Sequence, residues 1–276
     1  MESRQVRRTK IGLTEQNGRF LRDSLSAITG FDFELAGSAT LVTRMDSHIG
    51  KLGFNCVNEY VESLSTWSYV DIVKEIKFIG HQLIDKETFF NRAANQYRFL
   101  KQVILPEKNS DIRVLCVGCG RGHEAYDLAM ELANHYSLHA DWMVTAIDID
   151  NEALAHAREG IYGAKECFLV PNSNLTKYFS PAQQWGGYGW RANSSVREKL
   201  EFKNLDVLTA KFADKFDVIF CRNVLSLMTS RNREIALGNL WQHLSQDGYL
   251  ILGHNENFGL VVPECNQESS QIAKRN

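Results

Sequence analysis

No stretch of this chain reaches 18 consecutive apolar residues, so the sequence offers no membrane span. The basic start, MESRQVRRTK, has no apolar segment behind it. No secretion signal is expected there, and Arg4 to Lys10 read as a solvated arm. An excess of either charge is also missing. Lys+Arg number 31 against 33 Asp+Glu, a net charge of −2, which gives no field to draw in nucleic acid or an acidic membrane. Six cysteines, at 56, 116, 119, 167, 221 and 265, are too few and scattered for a disulfide scaffold and point to a reducing cytoplasm. Cys116 and Cys119 form a C-x-x-C, but no second pair or histidine pair accompanies them. No metal site is therefore expected, and both read as small residues of a strand and a turn. No coiled-coil heptad is visible, so a monomer is expected.

What is there changes texture part-way along. Up to about residue 85 the chain reads helical, with apolar residues at three-and-four spacing in FLRDSLSAI, EYVESLSTW and YVDIVKEIKFIGHQLI. Residues 86–112 form a linker and a helix carrying ETFFNR. From Arg113 short apolar runs alternate with helical patterns: VLCVG, HEAYDLAMELANHY, WMVTAIDID, NEALAHAREGIY, FDVIFCRNVLSLM, REIALGNLWQHLSQDG and YLILGHNE. The penultimate segment reads as a helix closed by Gly248. Continuous apolar strands alternating with helices predict a parallel, doubly wound α/β sheet over 113–260. The stretch from about 163 to 200, rich in glycine and aromatics, breaks the rhythm and reads as a small inserted lobe. Its Trp185, Tyr188 and Trp190 suit either a docking face or the core of that lobe. Residues 261–276 read as a polar tail that frays.

The most informative stretch is VLCVGCGRGHEAYDLAMEL, residues 114–132. Its glycines stand at Gly118, Gly120 and Gly122. A dinucleotide loop would put its third glycine where His123 stands, and a phosphate loop would need Gly-Lys-Ser/Thr, which is absent. The loop therefore suits a ligand without pyrophosphate, approached closely by backbone. Asp148 ends the second strand, where an acid can accept both hydroxyls of a ribose, and Asp206 in EFKNLDVL can reach an adenine edge. Together these describe S-adenosylmethionine (SAM) in a class I methyltransferase. His123 reads as an exposed residue of a first helical turn, and His254 in GHNE as structural.

ETFFNRAANQYRFL, FDVIFCRNVL and ILGHNENF, with the glycine loop and TAIDIDNEALAHAREGIY, resemble the CheR family of chemotaxis methyltransferases over roughly residues 16–260. The resemblance implies a helical N-terminal domain, a linker and a Rossmann-like class I methyltransferase sheet with an inserted β-lobe. It implies methyl transfer from SAM, leaving S-adenosyl-L-homocysteine (SAH), to glutamate carboxylates of a chemoreceptor-like protein. It also assigns residues. The family's T-x-F-F-R becomes Thr88 to Arg92, with Asn91 for the second Phe, and Arg92 is expected close to the sulfonium and the substrate. Glu124 matches the acid that holds the amino group of SAM, and Asp148 the ribose acid. Asp206 and Val207 fall near the adenine, and Arg222 and Asn223 of the intact C-R-N-V contact SAM. Leu227 stands where the family carries a tyrosine, and the second helix keeps only Arg44, His48 and Lys51 of a more basic set.

A glutamate side chain, with a pKa of about 4.3, is already ionised at neutral pH. Transfer from a sulfonium then needs alignment rather than a base, and the lack of a Ser-His-Asp or Cys-His set agrees with this chemistry. Two other readings share the same pocket: a class I methyltransferase with a different acceptor, and a SAM- or SAH-binding regulatory module without turnover.

Overall fold

The computed structural model describes residues 13–34, 37–83, 88–92, 94–184, 187–258 and 265–276. The chain divides into two compact units, Met1–Asp85 with Leu227–Asn232, and Lys86–Ser226 with Arg233–Asn276. Arg4 to Lys10 and Trp185 lie outside the described residues.

The first unit contains α1 (Glu15–Thr29), α2 (Ser38–Lys51), α3 (Val57–Ser63) and α4 (Tyr69–Leu83). Thr14 caps α1 by accepting the Asn17 N–H at 3.2 Å, and Gly30 ends it in the left-handed region at φ 76°. Leu21 and Leu25 of α1 and Ile76 and Ile79 of α4 are buried, the helical spacing read from the sequence. Two members of the thinned basic set are engaged inside this unit. Arg44 donates to the Leu83 carbonyl, and His48 Nε2 lies 2.6 Å from Glu75 Oε1. Leu227 belongs to the same unit, its carbonyl accepting the Asp32 N–H at 2.7 Å.

The second unit opens with α5 (Ala94–Phe99) and α6 (Leu105–Glu107) around a π-helical turn at Leu100–Ile104. Its strands are β1 (Arg113–Val117), β2 (Met143–Asp148), β3 (Ile161–Gly163), β4 (Phe179–Gln184), β5 (Gly187–Ala192), β6 (Leu200–Asn204), β7 (Phe216–Cys221), β8 (Leu244–Leu252), β9 (Cys265–Ser269) and β10 (Ile272–Arg275). Between them run α7 (His123–Tyr136), α8 (Asn151–Glu159), α9 (Asn172–Tyr178), α10 (Ser194–Arg197) and α11 (Ser230–Gln242). The main sheet has the order β6-β2-β1-β7-β8-β10-β9. β6 through β8 pair in parallel, and β10 and β9 are antiparallel. β3, β5 and β4 form a separate three-stranded antiparallel sheet, inserted between α8 and β6.

Residues 114–117, 144, 146, 218–220 and 249–252 are all buried, as continuous apolar strands covered on both faces require. Two features differ from the sequence expectation. The tail does not fray: Ile272 to Lys274 pair with Tyr249 to Ile251, and Ile272 and Ala273 are buried. Helix α11 stops at Gln242 rather than at Gly248, because Leu244 already pairs with Phe216.

Candidate active site

Sheet order reverses between β1 and β7, and the carboxyl ends of strands at such a switch point form the ligand crevice of open α/β sheets. Register brings the site residues to one level. Val117 pairs with Ile147 on one side and Cys221 on the other, so Gly118, Asp148 and Arg222 leave the sheet side by side. The turn after β1 folds back on β2, the Gly118 and Cys119 N–H groups donating to the Ile147 carbonyl at 2.9 and 3.1 Å. A Cβ on Gly118, at φ 68°, would collide with the Val224 side chain. One on Gly120, at φ 50°, would meet none of the described residues within 4 Å, so among them this part of the turn borders open space. Gly122, at φ 92°, is the N-cap residue of α7.

Asp148 staples this turn. Its Oδ2 accepts the Gly120 N–H at 2.8 Å and its Oδ1 the Asp150 N–H at 2.9 Å. Burial pushes its carboxyl above the ordinary range, and those two N–H groups pull against the rise. Glu124, in the first turn of α7, pairs with Arg222: Nη1 to Oε1 is 2.5 Å, with side chains only 7% and 14% exposed. Burial raises Glu124, Arg222 opposes it, and the charge of Arg92 reaches it more weakly. Burial is the strongest single pull on Arg222, downward, but Glu124, with smaller help from Tyr97 and Cys116, carries the guanidinium above its ordinary value. Arg222 Nε is buried and has no hydrogen-bond partner among the described residues.

Two asparagines flank these arginines in the left-handed region, Asn91 at φ 57° and Asn223 at φ 58°. Each gives its backbone N–H to a buried carboxylate that the motif reading passed over. Glu256, 5% exposed, accepts from Asn223 at 3.0 Å, Ser226 at 2.9 Å and Gly253 at 2.7 Å. Asp127, 6% exposed, accepts from Asn91 at 2.6 Å. Asp127 takes its N–H from 36 residues away, and Glu256, the last residue of GHNE, has a local donor in Gly253 but takes its other two N–H groups from 33 and 30 residues away.

Asp206 and Val207 sit past the end of β6, which the Leu205 N–H and Asn204 Nδ2 tie to the Asp148 carbonyl at 3.2 and 3.1 Å. Asp206 is exposed and closes its own turn, Oδ1 accepting the Leu208 N–H at 2.9 Å, while Val207 is buried. The exposed Arg92 lies 5.6 Å over the Phe89 ring. Half-buried Thr88 is joined by no hydrogen bond to the strand-end group among the described residues. His123 is not an exposed first-turn residue. It is 1% exposed, edge-on to Phe90 at 4.8 Å and 3.4 Å from Glu166 Oε1, which Arg121 also pairs at 3.1 Å. Tyr188 is 82% exposed, whereas Trp190 packs against the core.

The model of the SAM-binding domain of CheR methyltransferases matches residues 86–273. This chain belongs to the CheR methyltransferase family. Among curated CheR relatives, it is 30% identical over 231 residues to the chemotaxis protein methyltransferase of Borreliella burgdorferi, covering 78% of each chain. It is 31% identical over 180 residues to that of Salmonella typhimurium, covering 64% of this chain and 62% of the relative. Chemotaxis protein methyltransferase 2 of Vibrio cholerae is 29% identical over 198 residues, 68% of each. Among solved structures, the glycopeptide N-methyltransferase MtfA complexed with SAM shares 15% identity at a TM-score of 0.38, covering 60% of this chain and 57% of that one, a likeness too slight to carry weight. Among the described residues the CheR fold fits SAM on its own geometry: open space beside Gly120, a carboxylate next to it, and a buried Arg222 nitrogen lacking a partner.

Proposed function

We propose that this CheR-family chain transfers the methyl group of SAM to glutamate side-chain carboxylates of a chemoreceptor-like protein, releasing SAH. Beside the family match, the observation that carries this reading is the register of β1, β2 and β7, which sets Gly118–Gly122, Asp148 and the Glu124–Arg222 pair at one switch point. Bound SAM supplies a methyl group on a sulfonium. The residues supply alignment. Asp148 keeps a second lone pair on each oxygen for ribose hydroxyls, because each now accepts one N–H. Glu124, with Oε1 given to Arg222, turns its remaining acceptor capacity to the amino group. Asp206 and Val207 border the adenine, Asn223 and Thr88 complete the contacts, and the Arg92 guanidinium orients the acceptor carboxylate. That carboxylate is ionised at neutral pH, so no residue need act as general base.

The buried thiols Cys116, Cys119, Cys167 and Cys221 are free, which suits a reducing cytoplasm, and we take the enzyme to act as a monomer. No helix among the described residues is long and apolar enough to cross a membrane. The test is incubation with methyl-labelled SAM and receptor-bearing membranes, followed by alkali. Label released by base as methanol is the expected result. Alkali-stable label would point to a different acceptor, and SAM binding without transfer to a regulatory module.

A further inference from the structure

One face of α7 carries three acids, Glu124, Asp127 and Glu131, at helical spacing. Two have cationic partners: Arg222 for Glu124, and Lys101, at 3.2 Å, for Glu131. Asp127, between them, has a backbone partner instead. Its Oδ2 takes the Asn91 N–H at 2.6 Å, with the Tyr97 hydroxyl at 3.5 Å behind it. Tyr97 is itself fixed, stacked on Phe220 of β7 at 6.1 Å. One residue earlier, Phe90 is fully buried, edge-on to His123, Tyr162 and Phe179 at 4.8, 4.9 and 5.9 Å. The turn at 88–92 is therefore gripped at two consecutive residues, by an aromatic box at Phe90 and by a carboxylate at Asn91, whose positive φ swings the chain toward Arg92.

We propose that Asp127 is a positioning residue for methyl transfer: by holding the Asn91 N–H it fixes the turn from which Arg92 reaches the acceptor carboxylate. This rests on the reading of Arg92 given above. Asp127 acts through an acceptor oxygen rather than a net charge. Burial pushes its carboxyl well above the ordinary range; the Asn91 N–H and Arg222 oppose that, and Glu124 and Glu131 reinforce it. An uncharged side chain with an oxygen in the same place therefore does the same work.

The experiment is a double-mutant cycle on methyl transfer by the full chain, with SAM affinity and thermal unfolding measured on every variant. Asp127→Ala lowers kcat at least about tenfold, the scale expected when a reacting group is misplaced by an ångström or less. Asp127→Asn restores most of that loss, since its amide oxygen can accept the Asn91 N–H. In an Arg92→Ala background, itself slow, Asp127→Ala costs no further factor. Should Asp127→Ala not fold, Asp127→Ser, too short to reach Asn91, takes its place. Equal losses in the wild-type and Arg92→Ala backgrounds, or failure of Asp127→Asn to restore activity, overturn the proposal. An Arg92→Ala variant as fast as wild type would instead overturn the role given to Arg92.

Discussion

Glu256 offers the sharpest perturbation. Its carboxylate is almost wholly buried and receives three backbone N–H groups, two of them, from Asn223 and Gly253, on the same oxygen. Hydrogen bonds to a charged acceptor contribute about 1.5–3 kcal/mol each, so Glu256→Ala removes nominally about 5–9 kcal/mol. Water entering the gap and relaxation of the turn recover part of this, and a net loss of about 3–5 kcal/mol is expected. At about 2–4 °C per kcal/mol for a unit of this size, Tm falls by roughly 10 °C. Glu256→Gln is milder. With its oxygen toward Asn223 and Gly253 it keeps two bonds, but its amide then faces the Ser226 N–H, for about 1–3 kcal/mol. Gly253 supplies an internal control. A Cβ there would lie 2.6 Å from Glu256 Oε2 and 2.9 Å from the Asn223 nitrogen, so Gly253→Ala costs less once Glu256 is alanine. Since Glu256 sets the turn that carries Arg222 and Asn223, SAM affinity falls along with stability. The assay is differential scanning calorimetry paired with SAM titration calorimetry. A Glu256→Ala variant with unchanged Tm and unchanged SAM affinity would rule out this role for Glu256.

Three further outcomes are expected. Asp148→Ala weakens SAM binding by about 1–3 kcal/mol in titration calorimetry, and Asp148→Asn, which can still accept the Gly120 N–H, by less. Gly118→Ala forces a side chain into the left-handed region and against Val224, costing about 1–3 kcal/mol by denaturant titration and weakening SAM binding with it. The Glu166 carboxyl is held down at about 2, first by His123, then by the Gly163 N–H and Arg121, against the opposing effect of burial. A depressed folded-state value means stabilisation present above the unfolded-state value of about 4.5 and lost as pH falls from there toward 2. Partial exposure limits this to about 1–2 kcal/mol, so the stability gap between wild type and Glu166→Gln is full at pH 7 and narrows below pH 4.5. A gap that does not change with pH would contradict it.

The features legible in the sequence were those with local causes. Continuous apolar runs gave the strands, alternate glycines gave the turn at 118–122, and an acid just past an apolar strand gave Asp148. What stayed hidden depends on partners distant in the chain. His123 looks like a solvent-facing helix start, but Phe90 and the Glu166 side cover it. Residues 272–275, read as IAKR, look too polar for a strand, yet β10 lies between β8 and β9, and its pairing is made by backbone, which sequence polarity does not report. Residues 244–248, LSQDG, continue a helical pattern, but pairing of Leu244 with Phe216 takes them into β8. Asp127 and Glu256 lie inside HEAYDL and GHNE, yet nothing in those stretches marks them, since accepting a backbone N–H asks only for a carboxylate in the right place. Asp148 was legible as a candidate acid, but its staple to Gly120 was not.

All of this depends on SAM lying across the carboxyl ends of β1, β2 and β7. A crystal structure with SAH tests it most directly. Ribose hydroxyls on Asp148, the homocysteine amino group at Glu124, and the nucleoside passing over Gly120 are expected. Density for SAH elsewhere, with Asp148 and the Glu124–Arg222 pair unchanged and uncontacted, would contradict it.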